Sequence, residues 1–131
     1  MEEFVRDALA AGGPALIIDA HSFPSSPLPC NLDQTQDRPD ICIGTDRFHT
    51  PEWLKDVAVS AFRDQGWRVE LNRPYSGSIV PMSRYLKDDR VHSVMIEISR
   101  ALYMNEQTGE RLPCYGDVWR RVRCAIARLN A

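Results

Sequence analysis

The nine residues 91–99, VHSVMIEIS, constrain this chain more than any other stretch, because they are its strongest strand signal. Side chains alternate along a strand, so Ser93, Met95 and Glu97 share one face and Val94, Ile96 and Ile98 the other. A carboxylate inside such a run is at least half buried. Burial of an unpaired carboxylate is costly, so Glu97 must be ion-paired, protonated or placed beside a metal. With its pKa raised by desolvation, Glu97 would suit a general base for a metal-bound water. The competing reading is an ion pair with Arg100 or another arginine.

A second apolar run, ALIID at 15–19, reads as a fully buried strand that delivers His21 and Ser22 at its tip. Asp19, two positions earlier, could orient the imidazole, which makes His21 a candidate metal ligand. The alternative is a histidine that bonds loop backbone, since one histidine is not a site. DICIG at 40–44 and WRVEL at 67–71 read as further strands. Residues 21–39, with four prolines, read as a long loop, and RPYSGSIVP at 73–81 is turn-rich with Gly77 in a tight bend.

Three helices accompany these strands. Phe4, Val5, Ala8 and Leu9 mark one over residues 2–11, stopped by Gly12-Gly13. Thr50 is expected to cap a second, with Pro51 in its first position and Gly66 closing it after about Gln65. A third covers 115–129, with Val118, Trp119, Val122, Ala125, Ile126 and Leu129 as its apolar stripe.

Strands alternating with helices imply an α/β fold with a mixed, largely parallel sheet flanked by helices. In such sheets ligands gather beyond the carboxyl ends of the strands. Were all the strands parallel, His21, Gly44-Thr45-Asp46 and Asn72-Arg73 would converge on one rim. His92 falls on the face opposite Glu97 and reads as a packing residue or one that supports a ligand from behind, and His49, just before the capped helix, as exposed. No HExxH pair or G-x-S-x-G elbow is present, which argues against zincin and serine-hydrolase chemistry.

At 131 residues the chain is read as a single domain, 1–131. Its 44% hydrophobic and 26% charged residues argue against disorder, and a net charge of −2 gives no footprint for nucleic acid. Of the 16 cationic residues, all but Lys55 and Lys87 are arginines, whose planar fork suits carboxylate recognition. Arg38, Arg73, Arg84 and Arg100 stand in or beside the rim segments; taken singly, each could equally be a surface ion pair. No apolar run reaches membrane-spanning length, so no membrane partner is expected. MEEFVRDALAAGG lacks the features of a signal peptide, and the four cysteines, without a CxxC pair, read as reduced thiols of a cytoplasmic protein.

Four motifs in order, LIIDAHSFPSSPLP, RPDICIGTDRFHTP, NRPYSGSIVP and VHSVMIEISRALYM, resemble the N-formylglutamate amidohydrolase family from about residue 4 to residue 126. The resemblance implies a zinc carboxypeptidase-like, phosphorylase/hydrolase-like fold and zinc-dependent hydrolysis of N-formylglutamate, or a similar N-acyl amino acid, to formate and glutamate. It places zinc on His21 and water activation on Glu97. Substrate binding would fall to Arg73 first, then Arg38 and Arg100, with Tyr75 and Asn72. Around Arg84 the sequence departs from the family pattern.

Family members usually carry an upstream half with a PHS-type segment that supplies further zinc ligands. This chain begins one helix before LIIDAHS, so the expectation is the C-terminal half of the catalytic domain, truncated at its N-terminus, with zinc weak or absent in this chain alone. The alternative is a catalytically incomplete module that binds a partner or self-associates, as a homodimer through an exposed sheet edge.

Overall fold

The structure is a computed structural model that describes residues 1–130. The elements run α1 (Glu2–Ala10), β1 (Ala15–Phe23), β2 (Ile41–Gly44), α2 (Glu52–Arg63), β3 (Val69–Leu71), β4 (Val91–Ser99) and α3 (Tyr115–Ala127), with short 3-10 turns at Arg100–Leu102 and Arg128–Asn130. The four strands form one sheet in the order β1-β4-β2-β3. β1 and β4 are parallel, β2 and β3 are parallel, and the two pairs meet antiparallel at β2 and β4. The sheet is therefore mixed, as the alternating pattern implied.

The strand at 91–99 is central, and its alternation partitions the molecule. Val94 and Ile96, with Ile41 and Ile43 of β2, pack on Leu54, Ala58, Ala61 and Phe62 of α2 and on Val118 and Ala125 of α3. Full burial of each such side chain contributes about 1.5–3 kcal/mol, so this layer carries most of the stability. The opposite face holds a smaller apolar cluster, Val5 of α1 with Ala15, Val80 and Val91. The rest of that face is polar. Gly44 is required there: an added Cβ would stand 2.5 Å from the Gly77 carbonyl oxygen and 2.3 Å from Met95 Cε.

The termini of α2 also follow from local chemistry. Pro51 takes the N-cap position, one residue later than expected, because Thr50 spends its hydroxyl elsewhere: it donates to the Ser93 carbonyl and accepts from the Asp46 N–H. Gly66, at φ +83°, ends the segment as the sequence implied. In α3 the expected stripe holds except at Trp119, which is 49% exposed. No helix among the described residues is long and apolar enough to cross a membrane.

Several expectations need correction. β1 does not stop at Asp19 but pairs with β4 through Phe23, so His21 lies within a strand rather than at its tip. Nor is β1 fully buried. It is an edge strand, and Leu16, Ile17 and Ile18 are only half-buried. The single rim does not form, because β2 and β3 run against β4. Their carboxyl ends come out level with Met95 and below, away from the carboxyl ends of β1 and β4.

His49 is not exposed but completely buried. Its Nδ1–H donates to the Val91 carbonyl (2.8 Å) and its Nε2 accepts from the Leu86 N–H (3.0 Å), tying the 81–88 segment to the start of β4. His92 does pack, edge-on to Trp53 at 5.5 Å between ring centres.

Candidate active site

Strand register brings His21 and Glu97 together. They are direct partners across the parallel β1–β4 pair, and Glu97 is in turn the partner of Cys42, which is the partner of Glu70. Partnered residues share a face, and neighbouring strands lie about 4.8 Å apart. The polar face thus carries one row across all four strands: His21, Glu97, Cys42, Glu70.

Glu97 is the unusual member. It is 8% exposed, and its Oε2 is buried with no hydrogen-bond partner. Burial pushes its carboxyl above the ordinary range; the nearby Asp19 adds to this, while His21 and Arg100 pull the other way. The ion pair with Arg100 does not form. Arg100 instead donates from Nε to Ser22 Oγ and from Nη2 to the Ser22 carbonyl, both at 3.2 Å. The carboxylate that the sequence required to be paired, protonated or metal-adjacent therefore has, at Oε2, no hydrogen-bond partner among the described residues.

His21 is half exposed, and its Nε2–H donates to Asp19 Oδ1 at 2.7 Å. This is the orienting contact expected from the spacing of the two residues. No hydrogen bond within the described residues uses Nδ1.

The other two members of the row close its far side. Cys42 is completely buried, and its thiol donates to the Tyr75 carbonyl at 3.1 Å. Burial raises that thiol's pKa, and the Glu97 and Glu70 carboxylates add to the shift, although backbone hydrogen bonds at Tyr75 and Arg73 oppose it. It is an inert, packed thiol rather than a nucleophile. Glu70 is gripped by Arg73 through Nε (2.5 Å) and Nη2 (3.0 Å), which holds its carboxyl below the usual range.

The remaining candidates are placed as follows. Arg73 Nη2 also donates to the Asp37 carbonyl, so its head is held at the Glu70 end of the row. Arg38 donates to Tyr75 Oη (3.2 Å), Asn31 Oδ1 (3.2 Å) and the Asp33 carbonyl (3.0 Å), with its guanidinium about equally far from the Phe23 and Tyr75 rings. Its buried Nε has no partner. Tyr75 meets Phe23 edge-on at 5.9 Å, next to the end of β1. Asn72 stands apart: its Oδ1 accepts from the Thr45 N–H and its Nδ2 donates to Thr45 Oγ1, both at 2.8 Å. Arg84 pairs with Asp88 and Glu2.

Among the described residues no three His, Cys, Asp or Glu side chains converge in a way that could hold a metal ion. Glu97 Oε2 and His21 are two donors in register, but two fall short of the three protein ligands of a catalytic zinc.

Sequence reading missed Cys42 and Glu70 as members of the row. The alternation of VEL already put Glu70 opposite Val69 and Leu71, but strand order is not written in either short segment.

A mixed α/β sheet that sets an oriented imidazole beside a buried, unpartnered carboxylate has the layout of an acid–base site. The profile of the N-formylglutamate amidohydrolase family matches residues 1–104. The chain belongs to that family. Among solved structures it is similar to N-formylglutamate amidohydrolase from Ralstonia eutropha, with 26% identity and a TM-score of 0.73 over 96% of this chain and 46% of that one. A gene product of Agrobacterium tumefaciens shares the fold, at 22% identity and a TM-score of 0.59, over 99% of this chain and 49% of that one. The chain thus spans about half the length of the solved structures it matches. No curated protein sequence matches it.

Proposed function

We propose that this chain is the C-terminal half of a catalytic domain that hydrolyses the formyl amide of N-formylglutamate, or of a similar N-acyl amino acid. The observation that carries this reading is Glu97: buried, unpartnered at Oε2, and in register with His21. Family membership supplies the reaction class.

In this reading Glu97 takes a proton from the attacking water. As the formyl C–N bond breaks, Glu97 returns that proton to the departing nitrogen, leaving formate and the free amino acid. A carboxyl raised above its ordinary range is better matched to both transfers near neutral pH than an exposed one. The Asp19–His21 pair holds the imidazole at the mouth of the same site. Arg73 is the first choice for the substrate carboxylate, because its present partner Glu70 is itself a carboxylate that a ligand could replace. Arg38 and Arg100 come next, and Tyr75 shapes the wall; Asn72, committed to Thr45, would have to turn.

The zinc implied by the family does not fit this chain's own donors, since His21 lacks two companions among the described residues. Zinc belongs to the proposal only for a complete enzyme in which further ligands come from elsewhere. The missing trio also favours the second reading, a module that binds or self-associates without turnover.

Formate release from N-formylglutamate separates the two. In whatever assembly is active, Glu97→Gln is expected to keep the circular dichroism of the parent and to lower turnover about 10²–10⁴-fold. Near-normal turnover in that variant would reject Glu97 as the base. Absence of turnover in every assembly would leave the binding module.

A further inference from the structure

His49 is completely buried and stands outside the row, on the turn between β2 and α2. Both of its ring nitrogens are committed. A carbonyl can only accept and a backbone N–H can only donate. The Val91 carbonyl therefore requires a proton on Nδ1, and the Leu86 N–H requires a bare Nε2. The closed structure admits only the neutral imidazole. Leu86, which makes the second bond, has φ +56°, in the left-handed region that a leucine keeps only when its surroundings hold it there. The Tyr85 ring lies stacked on the imidazole at 5.6 Å, and Phe48 meets it edge-on at 4.7 Å.

We propose that His49 is a proton-operated latch on residues 81–88: the neutral imidazole holds this segment against the start of β4, and the protonated imidazole releases it. A proton on Nε2 turns the acceptor into a donor that faces the Leu86 N–H, and it places a charge where no water reaches. Release removes both costs, because the uncovered imidazole is hydrated. Acid thus favours the released segment by linkage, since the open form binds the extra proton. Residues 81–88 continue directly from 73–81, which set the Tyr75 carbonyl on Cys42 and the Ile79 carbonyl on Ser93. The latch therefore sits at one end of the cover over the polar face. This inference does not depend on hydrolysis.

The charged groups around His49 do not replace the lost bond. On its own turn stands Asp46, whose Oδ1 accepts the Phe48 and His49 N–H groups and whose Oδ2 takes the Tyr85 hydroxyl. Burial raises the Asp46 carboxyl, but those N–H groups outweigh it and hold it below the usual range. The segment itself brings Arg84, Tyr85, Lys87 and Asp88; hydrogen bonds from Arg90 lower the Asp88 carboxyl to about 2, and Arg84 pairs with it. From α1, Glu2 reaches the segment through Ser83 and Arg84. β4 presents the Val91 carbonyl to the ring and the Ser93 N–H to the His49 carbonyl, and at the start of α2 Glu52 and Lys55 pair with each other. Asp46 attracts an imidazolium and so moves release to lower pH, but it offers the Leu86 N–H no acceptor in place of Nε2.

Amide hydrogen exchange on the whole 131-residue chain tests it, each rate divided by that of a free amide at the same pH. An imidazole in water titrates at about 6.5, so protection of the Leu86 amide is expected to fall about 10- to 30-fold between about pH 7.5 and about pH 5. Protection of Ile96, on the central strand, is expected not to fall. His49→Gln keeps an oxygen that can accept the Leu86 N–H but cannot take the proton, and its Leu86 protection should not fall either. In the unmodified protein at about pH 7.5, the ring nitrogen shifts should report His49 protonated at Nδ1 and bare at Nε2. Equal Leu86 protection at the two pH values would overturn the proposal, as would a fall shared by Ile96, which is loosening of the whole fold. A fall that persists in His49→Gln would belong to another group and overturn it too. A proton on Nε2 near neutral pH would overturn it without the variant.

Discussion

The two faces of β4 are made of adjacent residues and live in opposite regimes. Val94 and Ile96 are completely buried against α2 and α3, with no polar atom to satisfy. Ser93 and Glu97, one residue away on either side, are nearly as buried but face a layer of turns and loops. Ser93 finds a partner there, its hydroxyl donating to the Ile79 carbonyl at 2.8 Å, whereas Glu97 Oε2 finds none. The helix face is consistent with stability at every position. The turn-covered face departs from that rule at one residue, which is where chemistry would be expected to sit.

That contrast can be broken most forcefully on the helix face. Ile96→Ala removes a completely buried side chain at the centre of the main cluster and leaves a cavity between sheet and α2. A loss of about 2–5 kcal/mol is expected, read from the midpoint of urea unfolding with an unchanged slope. A loss below 1 kcal/mol would mean that this layer is not the main source of stability.

The second break is on the polar face, at a glycine rather than a side chain. In Gly44→Ala the new methyl can displace the flexible Met95 tip, but it cannot easily displace the Gly77 carbonyl. The 73–81 segment must lift, at about 1–3 kcal/mol. Lifting it would also free Cys42 from the Tyr75 carbonyl, so the variant should react faster with a thiol reagent. Loss of stability without faster Cys42 labelling would show that the strain is absorbed by Met95 alone.

How much of this was legible in the sequence differs between the same two faces. The helix face could be read almost entirely, because VHSVMIEIS and the stripes of α2 and α3 state their own periodicity. Glu97 was legible for the same reason, as a charge where the pattern demands an apolar residue. Two things were not. The antiparallel setting of β2 is decided by the chain between residues 24 and 40, which has no period to read, so the single rim was an inference from parallelism that four residues of ICIG could not check. His49 looked exposed because it precedes a helix; what buries it is the 81–88 segment, far away in sequence, whose Leu86 N–H it accepts. Local alternation carries faces, and only long-range pairing carries ends.

The smallest expected effect is the one that separates the two faces by sign. Most substitutions of a buried residue destabilise, but Glu97→Gln is expected to stabilise at neutral pH, on the order of 1 kcal/mol, because it removes an unpartnered buried charge. The pH dependence follows from the direction of the shift. Burial raises the Glu97 carboxyl in the folded state, so the folded protein holds that proton more tightly than the unfolded chain does. Its contribution to stability is fully present below the unfolded carboxyl range and is lost as pH rises through the raised folded value. The Gln variant cannot titrate there. Its advantage over the parent in thermal midpoint should therefore be near zero at about pH 4 and grow toward pH 8. A parent protein more stable than the variant at pH 8 would mean that Oε2 gains a partner in solution, and the contrast between the two faces of β4 would then close.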